Sequence, residues 1–446
     1  MLIDHIVEKR RFFVSCLLLV SLYSLDANAQ TGDSLVRDAT LPGIIQYALK
    51  NQPAVQQSVI DEKITDLQIK SKLADWYPQV DFNYLYQHNF QVQTSIIGGN
   101  TVKLGVDNTS ALQFTASQAI FNRDVLLASR TKGAVRLRAK QQTEGTKIDV
   151  AVSVSKAFYD VLTTQQQIKV VNENIVRLEK SLKDARAQYE AGVVDKTDYK
   201  RATIALNNSK ASKKINEETI QAKIEYLKAL INYPENGSLN IVFDSTQLEN
   251  EIVLDTLQVL NYANRIEYQA LQTQLKLQEA NVKYNKWSYL PSLSANGAYN
   301  SNFLNNDFSK LYSQAYPNSY AGLTLAFPIF QGGKRKYNIK EAQWQLKRTD
   351  LELVNIKNSI SSEYYAALAN YKASIANYFA LKENVLLAQE VYDVIQLQYR
   401  AGVKTYLEVI TSETDLRTAK INYFNSLYQV LSSKIDVQKS LGDIRF

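Results

Sequence analysis

The chain has 446 residues, a formal net charge of +7, one cysteine and two histidines. Thiols and imidazoles are the usual ligands of zinc, and thiol chemistry needs cysteine. Because the chain has so few of these side chains, we expect no metal site and no cofactor. The basic residues are scattered rather than clustered, which argues against a nucleic-acid partner.

Residues 1–29 have the pattern of a secretory signal peptide. A basic stretch precedes an apolar run, and the small residues that follow predict cleavage after Ala29. Cys16 lies inside the apolar run, whereas the cysteine of a lipidation motif ends such a run, so we expect no lipid anchor. Residues 30–40 are interpreted as an N-terminal tail. No later segment has the roughly twenty consecutive apolar residues of a transmembrane helix.

The rest of the chain contains an internal repeat. "QYEAGVVDKTDY" at 188–199 returns as "QYRAGVKTYLEV" at 398–409, and "WYPQVDFNYLY" has its counterpart in "SYLPSLSANGAY". A repeated order of such segments indicates a duplicated unit. We place the two units at residues 41–232 and 256–446, joined by a linker at 233–255.

In the first unit the pattern predicts a helix at 54–76, strands at 79–96 and 110–120, and long helices at 124–189 and 196–231. Asn- and Gly-rich residues join the two strands, and Asp195 is the expected N-cap of the return helix. Apolar side chains occupy alternate positions of the strands: Val80, Phe82, Tyr84, Tyr86, Phe90, Val92 and Ile96, then Leu112, Phe114, Ala116 and Ile120.

The second unit has the same order of elements. A helix at 266–289 precedes strands at 291–303 and 319–330, and residues 304–318 are interpreted as the loop between them. From Lys334 to Ala401 the chain has neither glycine nor proline, so one helix of about 100 Å is possible. Gly402 ends this helix, Thr405 is the expected N-cap of the next, and the return helix is placed at 406–441.

Alternation with period two predicts a sheet with one apolar and one polar face. Four strands cannot close a barrel within one chain, and hydrocarbon does not tolerate an open sheet edge. Eight strands from two chains would leave little lumen, whereas twelve from three could enclose an aqueous pore. A soluble protein whose apolar sheet faces pack against each other remains an alternative.

The order and duplication of these segments resemble the TolC family of outer-membrane efflux proteins. The stretches that carry the resemblance are "LPGIIQYALKNQPAV", "WYPQVDF", "YLPSLSA", "FPIFQGG" and the two repeated tips. The resemblance implies a mainly α protein with membrane β-strands, in which a homotrimer builds a twelve-stranded barrel in the outer-membrane lipid above a periplasmic α-helical barrel. It implies a passive exit duct that docks onto a periplasmic adaptor and, through it, an inner-membrane pump of the RND type or an ABC-type exporter.

The resemblance also implies a periplasmic gate beside the tips. Tyr399 and Lys404 match the family's locking tyrosine and basic residue, Asp198 matches a partner carboxylate, and Glu408 matches a constricting acid. A second acidic position is Thr411 here, so one of two carboxylate rings is missing. An ordinary role for Glu408 in the first turn of a helix stays open. The expected adaptor-docking tips are Ala191, Gly192, Val193, Ala401, Gly402 and Val403.

The sequence also bears on two other functions. An enzyme is not expected, because His88 has no nucleophile or orienting carboxylate arranged around it in the sequence. A soluble periplasmic helical-hairpin adaptor or scaffold is the alternative function. The duplication and the alternating strands favour the channel.

Overall fold

The computed structural model describes residues 38–192, 195–241 and 249–444. The predicted signal peptide at 1–29, most of the predicted tail and the tip residue Val193 lie outside these residues. Asp38–Phe446 form one compact unit.

Helices make up most of the described chain. Because the two longest described helices, Arg123–Glu190 and Lys334–Arg400, contain 68 and 67 residues, each is about 100 Å long. No described helix is apolar over a stretch long enough to cross a membrane. The helices are α1 (Leu41–Asn51), α2 (Pro53–Ala74), α3 (Arg123–Glu190), α4 (Lys196–Ile231), α5 (Ile266–Lys286), α6 (Lys334–Arg400) and α7 (Tyr406–Leu441).

Four long strands form an antiparallel sheet in the order β2-β5-β7-β8, so β2 and β8 are its edges. Two further pairs are short: β1 pairs with β6 in parallel, and β3 pairs with β4. The strands are β1 (Asp38–Ala39), β2 (Gln79–His88), β3 (Thr94–Ile97), β4 (Asn100–Lys103), β5 (Asn108–Phe121), β6 (Asn240–Ile241), β7 (Ser292–Asn305) and β8 (Ala315–Ala326).

The register of the sheet places most of the large apolar residues of all four strands on one side. Phe82 lies opposite Phe114, and Phe114 lies opposite Tyr299. We call this side the apolar face: Val80, Phe82, Tyr84, Tyr86, Leu112, Phe114, Ala116, Tyr299, Phe303, Leu323 and Leu325. On the polar face, one cross-strand row is Asn83, Gln113, Asn300 and Asn318. The predicted separation of faces is confirmed.

Some predicted strand limits were wrong. The strand predicted at 79–96 ends at His88, and residues 94–103 form the separate β3–β4 hairpin. Alternation of apolar side chains continued into this hairpin and therefore hid the end of β2. Ile120 was expected to continue the apolar alternation of its strand, but a register shift between Ala119 and Phe121 places Phe121 opposite Leu293.

The second pair of strands is also displaced from its prediction. β8 begins at Ala315, inside the predicted loop 304–318, and contains Pro317. Proline lacks an amide N–H, and within the protomer β8 is an edge strand, the kind of strand in which proline is tolerated. β8 ends at Ala326, because the chain reaches a second proline, Pro328, instead of continuing to residue 330.

The long helices pack as two antiparallel pairs, α3 with α4 and α6 with α7, and α3 also packs against α7. Apolar residues three or four positions apart supply the buried stripe on α3, as at Val154, Phe158 and Leu162. Helix α7 buries Leu427, Val430 and Leu431 in the same way. Apolar burial of this kind, at about 25 cal/mol per Å², is the main force holding the pairs together.

Candidate gating site at the ends of the helical hairpins

At the end of the first hairpin, a glycine ends one helix and an aspartate begins the next. α3 ends at Glu190, and Gly192 has a φ of 69°, a left-handed conformation that favours glycine. A carboxylate oxygen of Asp195 accepts a hydrogen bond from the Thr197 N–H at 2.9 Å, which confirms the predicted N-cap of α4. Asp198 lies in the first turn of α4, where a negative charge is favourable.

The second hairpin end repeats this arrangement. Gly402 has a φ of 75°, and the Val403 N–H donates to the Gln398 carbonyl at 2.9 Å, which closes the end of α6. The side chain of Thr405 accepts from the Glu408 N–H, and a Glu408 carboxylate oxygen accepts from the Thr405 N–H at 2.9 Å. This reciprocal pair is a capping box, and it confirms Thr405 as the N-cap of α7.

The predicted gate residues Lys404 and Glu408 contact each other within one protomer. The ammonium nitrogen of Lys404 lies 2.6 Å from a carboxylate oxygen of Glu408. The hydrogen bond from Lys404, together with those from Thr405, lowers the pKa of Glu408 to about 2. Within the protomer Glu408 is thus the first-turn capping acid that the sequence left open as an alternative.

The predicted locking residue Tyr399 joins the two hairpins. Its hydroxyl donates to the side-chain carbonyl of Gln188 on α3 at 2.8 Å. Its ring centroid lies 5.8 Å from that of Tyr406, which is 2% exposed. Burial, with a smaller contribution from the negative charge of Asp198, raises the pKa of Tyr399. Asp198 is therefore near Tyr399, but the hydroxyl is bonded to Gln188, a residue that the sequence analysis missed.

A buried polar cluster lies one turn beyond the predicted gate. Glu413 of α7 is 1% exposed, and one carboxylate oxygen accepts from Asn174 at 3.0 Å and from Arg177 at 3.3 Å. The hydroxyl of Ser209 on α4 donates to Asn174 at 2.8 Å, so the cluster joins three helices. The other oxygen of Glu413 is buried without a hydrogen-bond partner in the described part of the chain.

Sequence reasoning missed this cluster, although a signal was present. Tyr406, Val409, Glu413 and Leu416 follow one helical face at intervals of three and four residues, and a carboxylate in such a buried stripe is unusual. Burial raises the pKa of Glu413, because loss of hydration outweighs the nearby positive charge of Arg177. The cluster therefore joins the two hairpins through buried hydrogen bonds, and the ionised form of Glu413 is disfavoured there despite the nearby Arg177.

These residues are suited to holding helices together. The contacts are hydrogen bonds and ion pairs, individually of modest strength near solvent. Among the described residues, no group of three or more His, Cys, Asp or Glu side chains is placed to hold a metal ion. An open cleft of about 660 Å³ lies beside the predicted gate, and its lining includes Arg177, Tyr392 and Tyr399.

The chain is similar to known outer membrane proteins along most of its length. The family model described as "Outer membrane efflux protein" matches residues 44–232 and 260–443, so it covers most of the chain. The chain is 22% identical to the outer membrane protein TolC of Escherichia coli strain K12 over 431 residues, which are 92% of this chain and 84% of that protein. It is 22% identical to the probable efflux pump outer membrane protein TtgC of Pseudomonas putida KT2440, covering 91% of this chain and 83% of that protein.

Solved structures agree in fold. The open state of the Neisseria gonorrhoeae MtrE outer membrane channel superposes with a TM-score of 0.72 at 17% identity, covering 90% of this chain and 88% of that one. The outer membrane protein VceC of Vibrio cholerae gives a TM-score of 0.72 at 14% identity, covering 91% and 96%. These comparisons do not favour a soluble adaptor or scaffold. The chain belongs to the outer membrane efflux protein family.

Proposed function

We propose that three copies of this chain form the outer-membrane exit duct of a tripartite efflux or type I secretion system, with no enzymatic activity of its own. The observation that carries the proposal is the four-stranded sheet with an apolar face and two free edges. Every residue of β2 and of β8 is exposed in the protomer. Edges of this kind call for another strand, above all in lipid.

Closure by three copies fits the direction of the strands. Neighbouring strands are antiparallel throughout, so β8 of one copy can pair antiparallel with β2 of the next. Four strands from each of three copies make a twelve-stranded barrel. Its apolar face would meet lipid and its polar face would line a water-filled lumen.

The long helices extend the same symmetry into the periplasm. α3, α4, α6 and α7 from three copies would make a barrel of twelve helices. Large apolar side chains on α6 are exposed in the protomer, and a neighbouring copy would bury them. They include Trp344 (73%), Leu351 (59%), Leu386 (63%) and Leu397 (69%).

The order of elements supports the proposed duplication. A helix, two long strands and two long helices occur in residues 41–232, and the same order occurs in 256–446. We assign the segment between these units, 233–255, to an equatorial layer, where β6 pairs with β1.

The hairpin ends are the proposed gate and docking site. Tyr399, Lys404, Asp198 and Glu408 would form the periplasmic gate of the trimer. The tips of Ala191-Gly192-Val193 and Ala401-Gly402-Val403 would receive a periplasmic adaptor linked to an RND-type pump or an ABC-type exporter. Support comes from Val403, an apolar side chain that is 72% exposed at the second tip.

Disulfide trapping between sheet edges tests the proposal. Asn83→Cys on β2 is combined, in separate variants, with a cysteine at three successive polar-face positions of β8: Asn318, Tyr320 and Gly322. We expect oxidation of at least one pair to give a covalent trimer and no larger species. Asn83→Cys with Gln113→Cys is the control, because these positions are paired within one chain and should give only monomer. Monomers throughout the panel, or an open-ended ladder, would overturn the closed trimer.

A further inference from the structure

The connection between β7 and β8 folds back onto the sheet. Residues Phe308–Ser313 form a short 3-10 helix. The hydroxyl of Tyr312 lies 2.7 Å from that of Tyr84 and 3.3 Å from that of Ser110. The ring of Phe308 meets that of Tyr86 edge-on, with centroids 5.5 Å apart. Tyr84, Tyr86 and Ser110 all belong to the same side of the sheet, so the connection covers part of the apolar face.

Where the connection covers the apolar face, the sheet carries polar residues. Asn108 and Ser110 are polar residues on the apolar face, yet they are only 3% and 2% exposed. The side-chain amide of Asn108 donates to the Asn306 carbonyl at 3.0 Å, and Ser110 is bonded to Tyr312. Leu311, a residue of the connection itself, is 1% exposed. Polar groups that would be costly against hydrocarbon are thus bonded to the connection that covers them.

The outer surface of the connection is aromatic. Phe308 is 61% exposed and Tyr312 is 51% exposed. Asp307 and Lys310 form an exposed ion pair at 3.8 Å beside them. Aromatic rings with polar groups at one side are typical of the interface between hydrocarbon and lipid headgroups.

The position of the connection identifies which interface it would meet. The helices join the sheet at one end, next to Gln79 and Ala326, and the β7–β8 connection lies at the opposite end. In the duct proposed above, that opposite end is at the outer leaflet. The aromatic surface is continuous with the apolar face that the duct presents to lipid.

We propose that residues 306–314 are an interfacial anchor that docks onto outer-leaflet lipid, rather than a loop that stands free above the pore or folds into its mouth. The inference rests on the proposed duct and adds a specific lipid contact to it. The occupant of the aromatic surface is the headgroup region of the lipid bilayer.

Spin-label accessibility in lipid vesicles tests the anchor. In a Cys16→Ser background, single nitroxide labels are placed at Phe308→Cys in the connection, Leu323→Cys on the apolar face and Asn83→Cys on the polar face. We expect the ratio of collisions with oxygen to collisions with a water-soluble nickel complex to be highest at 323. The ratio at 308 should be several-fold above that at 83, and it should indicate a depth near the headgroups.

A second substitution controls for the fold of the connection. Leu311→Ala removes the buried side chain that holds the connection to the sheet, so the label at 308 should become accessible to nickel while the label at 323 does not change. If position 308 is as accessible to nickel as position 83 while 323 contacts lipid, the anchor is wrong and the duct stands. If position 323 is itself accessible to nickel, the proposed duct fails as well.

Discussion

Two glutamates of α7, Glu408 and Glu413, have pKa values that are shifted in opposite directions. Glu408 is hydrogen-bonded by Lys404 and Thr405, which lower its pKa to about 2. Glu413 is buried, which raises its pKa. Position along the helix decides the difference, because Glu408 faces solvent in the first turn and Glu413 follows the buried stripe.

The buried carboxyl gives stability a defined pH dependence. A raised folded-state pKa means that the folded protein binds the proton of Glu413 more tightly than the unfolded chain. Its contribution to stability is therefore fully present below the ordinary pKa of 4.5, and it is lost as the pH rises through the folded-state pKa. We predict that Glu413→Gln, which cannot ionise, loses this slope, so that its stability relative to wild type increases with pH.

Thermal unfolding followed by circular dichroism over a series of pH values measures the slope. Glu217→Gln is the matched control, because Glu217 is on a neighbouring long helix with its side chain 43% exposed. The control should keep the slope of the wild-type protein. An unchanged slope in Glu413→Gln would show that the carboxyl is not strained by burial.

The pair Lys404–Glu408 makes a prediction about ion selectivity in the proposed trimer. Three Glu408 carboxylates near the pore axis would attract cations, but each is partly neutralised by a lysine at 2.6 Å. Glu408→Ala should therefore lower the preference for cations and weaken divalent block, whereas Lys404→Ala should strengthen both. Reversal potentials across planar bilayers in a salt gradient measure the preference, and shifts in the same direction for both variants would contradict the assignment.

At the scale of elements, the hairpin ends depend on backbone conformation rather than on close packing. No atom lies within 4 Å of the position that a Cβ of Gly402 would occupy, so space for a side chain is not limiting. Its φ of 75° is the constraint. We predict that Gly402→Ala lowers the free energy of unfolding by about 1 kcal/mol.

Gly133→Ala is the matched control for this change. Gly133 lies within α3, again with no atom within 4 Å of the added Cβ, and its φ is helical rather than positive. Alanine there should stabilise the protein by about 0.5–1 kcal/mol, since it reduces the entropy of the unfolded chain. Denaturant unfolding in detergent compares the two variants. Equal losses of unfolding free energy in both would indicate a general effect of the added methyl group rather than the positive φ of Gly402.

Most of the elements were predictable from local signals in the sequence. The long helix after Lys334 follows from the absence of glycine and proline, and it ends at Arg400, one residue from the predicted limit. The N-caps Asp195 and Thr405 follow from side-chain chemistry. Strand limits were harder to predict because alternation carries no information on pairing, so the break after His88 was not visible.

The contacts made by the proposed gate residues were less predictable than the helix limits. The resemblance located Tyr399, Lys404 and Glu408, and the Lys404–Glu408 contact is local, but the partner of Tyr399, Gln188, depends on how the hairpins pack. The cluster around Glu413 combines side chains from α3, α4 and α7 that are far apart in sequence. Only a three-dimensional structure brings such residues together.

At the scale of the whole molecule, one protomer exposes two kinds of surface that are usually covered by another chain or by lipid. The sheet has two exposed edges, and α6 exposes apolar side chains along its length. Both are completed by the same operation if three copies surround one axis. The proposed duct would therefore be a property of the assembly rather than of one chain.

Single-particle electron microscopy of the purified protein in detergent tests this central claim most directly. The account predicts particles with three-fold symmetry, a hollow axis, a detergent belt around the sheet end alone, and helical density extending about 100 Å beyond it. Belt-free monomers or dimers, with the apolar sheet faces packed against each other, would contradict it.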